Sequence, residues 1–146
     1  RPVEGSLNAV VEAALALYET AYPQVSLERK LDPELPPLRL DGPQVKRVII
    51  NLVDNAIAAL GEKGSIEIGT AFDPTSRRAT LTVADSGPGI PPASRETIFA
   101  PNFSTKKKGS GLGLAIARRI VEDHGGEIRV EDNLPRGARF VIELPA

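Results

Sequence analysis

The chain contains no cysteine, which excludes a disulfide framework and any thiolate metal site. No apolar run approaches the roughly 20 residues that a membrane span requires, and no signal peptide is visible. Charge of one sign is lacking as well. Eighteen basic residues against 19 acidic leave a formal net charge of −1, so no general affinity for nucleic acid or other polyanions is implied. The one dense basic run is Lys106-Lys107-Lys108, and histidine occurs once, at position 124. No initiator methionine opens the chain; it reads as a domain cut from a longer parent, and membrane attachment elsewhere in that parent stays open. What is present is a globular composition, 41% hydrophobic and 25% charged over 146 residues, enough for one domain with its own core.

Residues 7–21, "LNAVVEAALALYETA", carry helical apolar spacing after Ser6, a suitable N-cap, and Pro23 closes them. "VSLERK", 25–30, alternates as a half-buried strand does, and the Pro-rich "DPELPP" leads to a short strand at 38–40. Asp41 is expected to cap a second helix with Pro43 in its first turn, running to about Leu60 before Gly61 and Gly64. Strands follow at about 65–73 and 78–85. The segment 86–110 is rich in Gly, Pro, Ser, Thr and Lys and much longer than a usual connection, which marks a lid or an irregular functional loop. A third helix is expected over 112–124, ended by Gly125-Gly126, and strands at 127–131 and 138–144 finish the chain. This order predicts an α/β (α+β) two-layer sandwich, with three helices on one face of a mixed, mainly antiparallel five-stranded sheet.

Four segments carry candidate chemistry. In "NLVDNAIAAL", Asn51 and Asn55 lie four apart and project from one helical face. They could simply bond to neighbouring backbone, or an amide oxygen could serve as a hard, neutral ligand for Mg²⁺. In "VADSGPGIP", a strand ends at Asp85, and Gly87 and Gly89 allow a tight turn close to a ligand. A carboxylate there accepts only, which suits the exocyclic amine of adenine; a plain Asp-Gly turn is the other reading. In "KKKGSGLGL", Gly109, Gly111 and Gly113 run into a helix start, an anion-binding arrangement with lysines ahead of it. The spacing is GxGxG, so the dinucleotide and P-loop signatures both fail. In "TIFAPNFSTKKKG", Phe99 and Phe103 are two of only four phenylalanines, placed where a lid would need anchors.

Taken in order, these segments resemble the N, G1, F and G2 boxes of the catalytic ATP-binding domain of sensor histidine kinases. The resemblance covers the whole chain, including "HGGEIRVED" and "GARFVIELP". The wording "FAPNFSTKKKGSGLGLAIARRIVEDHGG" is most similar to the nitrogen-regulation (NtrB/NtrY-like) kinases. The resemblance implies an ATP- and Mg²⁺-dependent catalytic module in which Asn55 holds the metal and Asn51 occupies the first catalytic Asn position. It implies that Asp85 reads the adenine amine while Gly87 and Gly89 shape the pocket. The backbone of Gly109, Gly111 and Gly113 would hold phosphates, with Lys106, Lys107 or Lys108 neutralising them. Ile90, Phe99, Phe103, Ser110, Leu112 and Leu114, within or beside the same boxes, complete the expected nucleotide-binding set. The implied partners are a dimerisation domain bearing the acceptor histidine, absent from this chain, and indirectly a response regulator. The implied setting is cytoplasmic, with the isolated domain monomeric.

Gyrase B and heat-shock chaperone ATPases of the wider superfamily carry Glu where Asn51 stands. An amide cannot take a proton from water, so Asn51 favours retention of the γ-phosphoryl group for transfer. A hydrolysing ATPase and a pseudokinase that only binds nucleotide are the alternatives, and an anti-sigma-type serine kinase is a further rival. Two residues depart from the family pattern. Ala58 stands where a phosphate-contacting Lys or Arg is common, which shifts that burden to the lid lysines or to Arg118. Ala138 stands where a hydroxyl is common. His124, directly before Gly125-Gly126, is expected to end a helix, where a cation complements the dipole, and not to accept phosphate.

Overall fold

The computed structural model describes residues 2–61, 63–100 and 113–146. Elements in chain order are β1 (Val3–Gly5), α1 (Leu7–Leu15), β2 (Val25–Lys30), β3 (Leu38–Leu40), α2 (Gly42–Leu60), β4 (Gly64–Asp73), β5 (Arg78–Asp85), α3 (Gly113–Asp123), β6 (Glu127–Asp132) and β7 (Ala138–Pro145), with short 3-10 turns at Ala16–Tyr18, Pro92–Ser94 and Thr97–Phe99. The main sheet has five strands in the order β2-β4-β5-β7-β6. Only β2 and β4 run parallel; the other neighbours are antiparallel. The helices cover one face, giving the two-layer sandwich that the element order predicts.

Helix α2 holds the layers together. Asp41 caps it by accepting from the Gln44 N–H at 3.2 Å, and Pro43 occupies the first turn, where a missing N–H costs nothing. Val45, Val48, Ile49, Leu52, Val53, Ala56 and Ile57 form its buried stripe, each of the larger ones contributing about 1.5–3 kcal/mol through burial. Gly61 ends it at φ +79, a conformation that carries little penalty for glycine. Opposite lie Ile66, Ile68, Leu81, Val83, Phe140 and Ile142 from β4, β5 and β7, all buried.

Polar contacts fix α1 over this core. Asn8 donates to the Asp32 carbonyl at 2.8 Å and accepts from Thr70 Oγ at 2.8 Å, and Thr70 Oγ accepts from the Asp32 N–H at 2.8 Å. Tyr18 donates to Asp54 Oδ1 at 2.7 Å; burial, then this bond to a carboxylate, pushes the phenol well above its usual range.

Two expectations need correction. The helix expected over 7–21 is α-helical only to Leu15 and then tightens into a 3-10 turn; apolar spacing does not separate i→i+4 from i→i+3 bonding. The strand at 38–40 is real but lies outside the main sheet. It pairs antiparallel with β1, a three-residue strand too short to show any period in the sequence.

Candidate functional site

The site lies where α2, the end of β5, the start of α3 and the β6–β7 loop meet. Asn51 and Asn55 sit half-buried at the margin of the buried stripe of α2. Asn51 Nδ2 donates to the Gly113 carbonyl at 3.1 Å, tying the middle of α2 to the first residue of α3. Gly113 is close enough that an added Cβ would touch Asn51 Cγ at 3.8 Å. Asn55 lies one turn further on the same face, and among the described residues no hydrogen bond to its side chain is present.

Asp85, the last residue of β5, is 2% exposed. Its Oδ1 accepts from the Gly87 N–H at 2.8 Å and from the Ala138 N–H at 3.3 Å. Two donors on one oxygen fix the carboxylate's orientation. Such anchoring by backbone N–H groups is also what makes a buried carboxylate affordable. The donor on β7 is a backbone group, so the Ala138 side chain is no obstacle to this part of the arrangement.

The glycines here are required by close approach. Gly137 has φ +119, and a Cβ on it would overlap the Asp85 carbonyl oxygen. Gly89, at φ +84, would press a Cβ to 3.2 Å from the Gly137 carbonyl oxygen, and Gly87 would press one to 3.3 Å from that of Ala59. The end of α2, the segment after β5 and the β6–β7 loop therefore pack backbone to backbone.

Ile90 packs on the core, and its carbonyl accepts from Arg95 Nε at 3.4 Å. Leu114 is partly buried against the same core. Phe99 is 4% exposed, edge-on to Phe140 with ring centroids 6.1 Å apart, and Arg118 lies over its ring at 5.5 Å. It is thus anchored in the core. Arg118 is also held by Glu122 at 3.3 Å and Glu96 at 3.7 Å, so as a replacement for a base at position 58 it starts from an engaged position. Phe103, Lys106, Lys107, Lys108, Gly109, Ser110, Gly111 and Leu112 lie outside the described residues.

His124 ends α3 as expected, but not as a cation. Its Nδ1 is 2.8 Å from the Ile120 carbonyl and its Nε2 accepts from the Asp41 N–H at 3.0 Å. That pair of bonds requires the neutral ring with its proton on Nδ1.

Sequence reasoning missed Asn133, Arg136 and Arg95. Asn133 donates to the Asp85 carbonyl and Arg136 to that of Gly87, contacts that no local motif announces.

Among the described residues there is no group of three or more His, Asp or Glu side chains able to hold a metal, and no helix long and apolar enough to cross a membrane. Residues 40–146 match the family described as histidine kinase-, DNA gyrase B- and HSP90-like ATPase. The chain is 40% identical over 142 residues to the signal transduction histidine-protein kinase AtoS of Escherichia coli, covering 96% of this chain and 23% of AtoS. It is 38% identical over 150 residues to the sensory histidine kinase/phosphatase NtrB of Salmonella typhimurium, covering 96% of this chain and 43% of NtrB. It thus spans less than half the length of these relatives. The nucleotide-free catalytic domain of histidine kinase ThkA superimposes with a TM-score of 0.90 at 38% identity, covering 99% of this chain and 95% of that one. An anchored carboxylate at the end of β5, paired amides on α2 and a glycine helix start, in the fold of the ThkA catalytic domain, leave one assignment: the chain belongs to the histidine kinase-, DNA gyrase B- and HSP90-like ATPase family, as the catalytic ATP-binding domain of a sensor histidine kinase.

Proposed function

We propose that the chain binds ATP with Mg²⁺ and donates the γ-phosphoryl group to a histidine on a separate dimerisation domain of its parent, from which a response regulator aspartate is phosphorylated. The observation that carries this reading is the buried Asp85 carboxylate, fixed through Oδ1 by two backbone N–H groups. Its remaining oxygen matches the exocyclic amine of adenine and would oppose the carbonyl that guanine carries there.

The residues fit Mg²⁺ of a particular kind. Mg²⁺ bound to nucleotide takes most of its ligands from phosphates and water and needs only one or two from protein. A half-buried Asn55 amide whose side chain has no hydrogen bond among the described residues suits that, whereas a cage of carboxylates would not be expected. The metal would supply charge neutralisation at the phosphates. Asn51 is an amide bonded to Gly113 and offers no base for water, which favours transfer over hydrolysis. His124 has both ring nitrogens engaged, so the acceptor histidine belongs elsewhere. NtrB and AtoS are histidine kinases, and ThkA has been crystallised with the response regulator protein TrrA; the same partnership is the natural one for this chain's parent.

Calorimetric titration tests the nucleotide site. Asn55→Ala is expected to abolish the gain in ATP affinity that Mg²⁺ confers, and Asp85→Asn to weaken ATP by about tenfold or more, as for a lost charged hydrogen bond. Unchanged Mg²⁺ dependence in the first variant, or unchanged ATP affinity in the second, would refute the respective assignment.

A further inference from the structure

The loop between β6 and β7 lies along the segment that follows Asp85 and grips its carbonyls. Asn133 Nδ2 donates to the Asp85 carbonyl at 2.8 Å, and Arg136 Nε donates to the Gly87 carbonyl at 2.9 Å. Arg95, itself bound to Asp132 of β6 at 2.6 Å, holds the Ile90 carbonyl at 3.4 Å. The loop is closed by its own bond, from the Asn133 N–H to the Gly137 carbonyl at 2.9 Å.

A turn with glycines at 87 and 89 has many backbone states of similar energy. Asp85 ends β5, and of the two donors on its Oδ1 one is on β7 and the other, the Gly87 N–H, is on this turn, so movement of the turn would loosen one of the two anchors. Gly87 matters twice, because its N–H, across the Cα from the held carbonyl, is also one of the two donors that fix Asp85 Oδ1. Side chains that pin the carbonyls of 85 and 87 therefore restrict the geometry on which base recognition depends.

We propose that Asn133 and Arg136 are positioning residues for base recognition. By holding the Asp85 and Gly87 carbonyls they aim the Asp85 carboxylate, and so set the preference for adenine over a 6-oxo purine without touching the nucleotide. This rests on the reading of Asp85 as the residue that meets the base.

The parent chain and its Asn133→Ala, Arg136→Ala and Asp85→Asn variants are titrated with adenosine, ATP and inosine triphosphate, each well below its melting transition. The two loop variants are expected to lose about tenfold in affinity for adenosine and ATP alike, the order for one lost hydrogen bond, and to narrow the preference for ATP over inosine triphosphate. A loss confined to ATP would mean that Arg136 attracts phosphate, and would overturn the proposal. A lowered melting temperature with affinity and preference intact would reduce both residues to structural ones and overturn it too. If the parent shows the preference and Asp85→Asn loses it while both loop variants keep it, the positioning role falls alone. If the parent shows no preference and Asp85→Asn changes nothing, the assignment of Asp85 falls with it.

Discussion

Asn51 donates its amide hydrogen to the Gly113 carbonyl across 3.1 Å, which gives the position a second requirement beside its chemistry. A carboxylate there would set acceptor against acceptor, so the bond that joins α2 to α3 depends on the amide. Asn51→Asp, nearly isosteric, is expected to cost about 1–3 kcal/mol, the penalty for replacing a made hydrogen bond by a mismatched pair. Chemical denaturation of the two chains measures this; equal midpoints would show that the bond contributes nothing. The sequence announces the Asn pair through helical spacing, but not what each amide bonds. Asn51 is engaged by backbone and, among the described residues, the Asn55 side chain is not; that difference comes from the approach of α3, 62 residues away in the chain. Asn133 and Arg136 were illegible for the same reason, since their partners lie 48 and 49 residues earlier.

Between elements, two sets of contacts yield predictions. His124 joins the end of α3 to the start of α2 through the Asp41 N–H. His124→Ala leaves that donor without its acceptor and is expected to cost about 1–3 kcal/mol, read by thermal or denaturant unfolding, while ATP affinity below the transition stays unchanged. A loss of affinity in the folded variant would give His124 a place in the site. On the sheet, Glu143 of β7 bonds Arg129 of β6 at 2.9 Å and Arg78 of β5 at 3.3 Å. The bond from Arg129, with the neighbouring positive charges, holds the Glu143 carboxyl below the usual carboxylate range. The unfolded chain therefore takes up the proton first. The contribution to stability is complete above the unfolded value of about 4.3 and is lost as pH falls through the lower folded value. Melting curves should show a steeper acid decline for the native chain than for Glu143→Gln below about pH 4.3; parallel declines would remove this ion pair from the account. The group is partly solvated, so the effect is expected to be small. The long elements were legible because α2 and the strands repeat their buried positions with clear periods, whereas β1, with three residues, has none.

At the scale of the molecule, the sheet brings together segments that sequence order keeps apart: 51 and 55 on α2, 85–89 at and after the end of β5, 113 at the start of α3, and 133–138 from the β6–β7 loop into β7. Motif order was enough to read the family and the fold, because the motif residues that the structure describes, in the middle of α2, at the end of β5 and at the start of α3, are ones that the fold brings beside one another. The packing of Gly137 against Asp85 and the donors behind it could be read only from the assembled chain. The resulting site fixes the Asp85 carboxylate through two backbone donors and, among the described residues, leaves the Asn55 side chain without a hydrogen bond, with an amide and no carboxylate at position 51. The most direct measurement incubates the chain with Mg²⁺ and γ-labelled ATP, alone and together with the histidine-bearing dimerisation domain of its parent. Acid-labile label on that domain's histidine, none on this chain and little free phosphate is the expected result. Label on this chain, or steady release of phosphate without transfer, would contradict the assignment of the site as a phosphoryl donor.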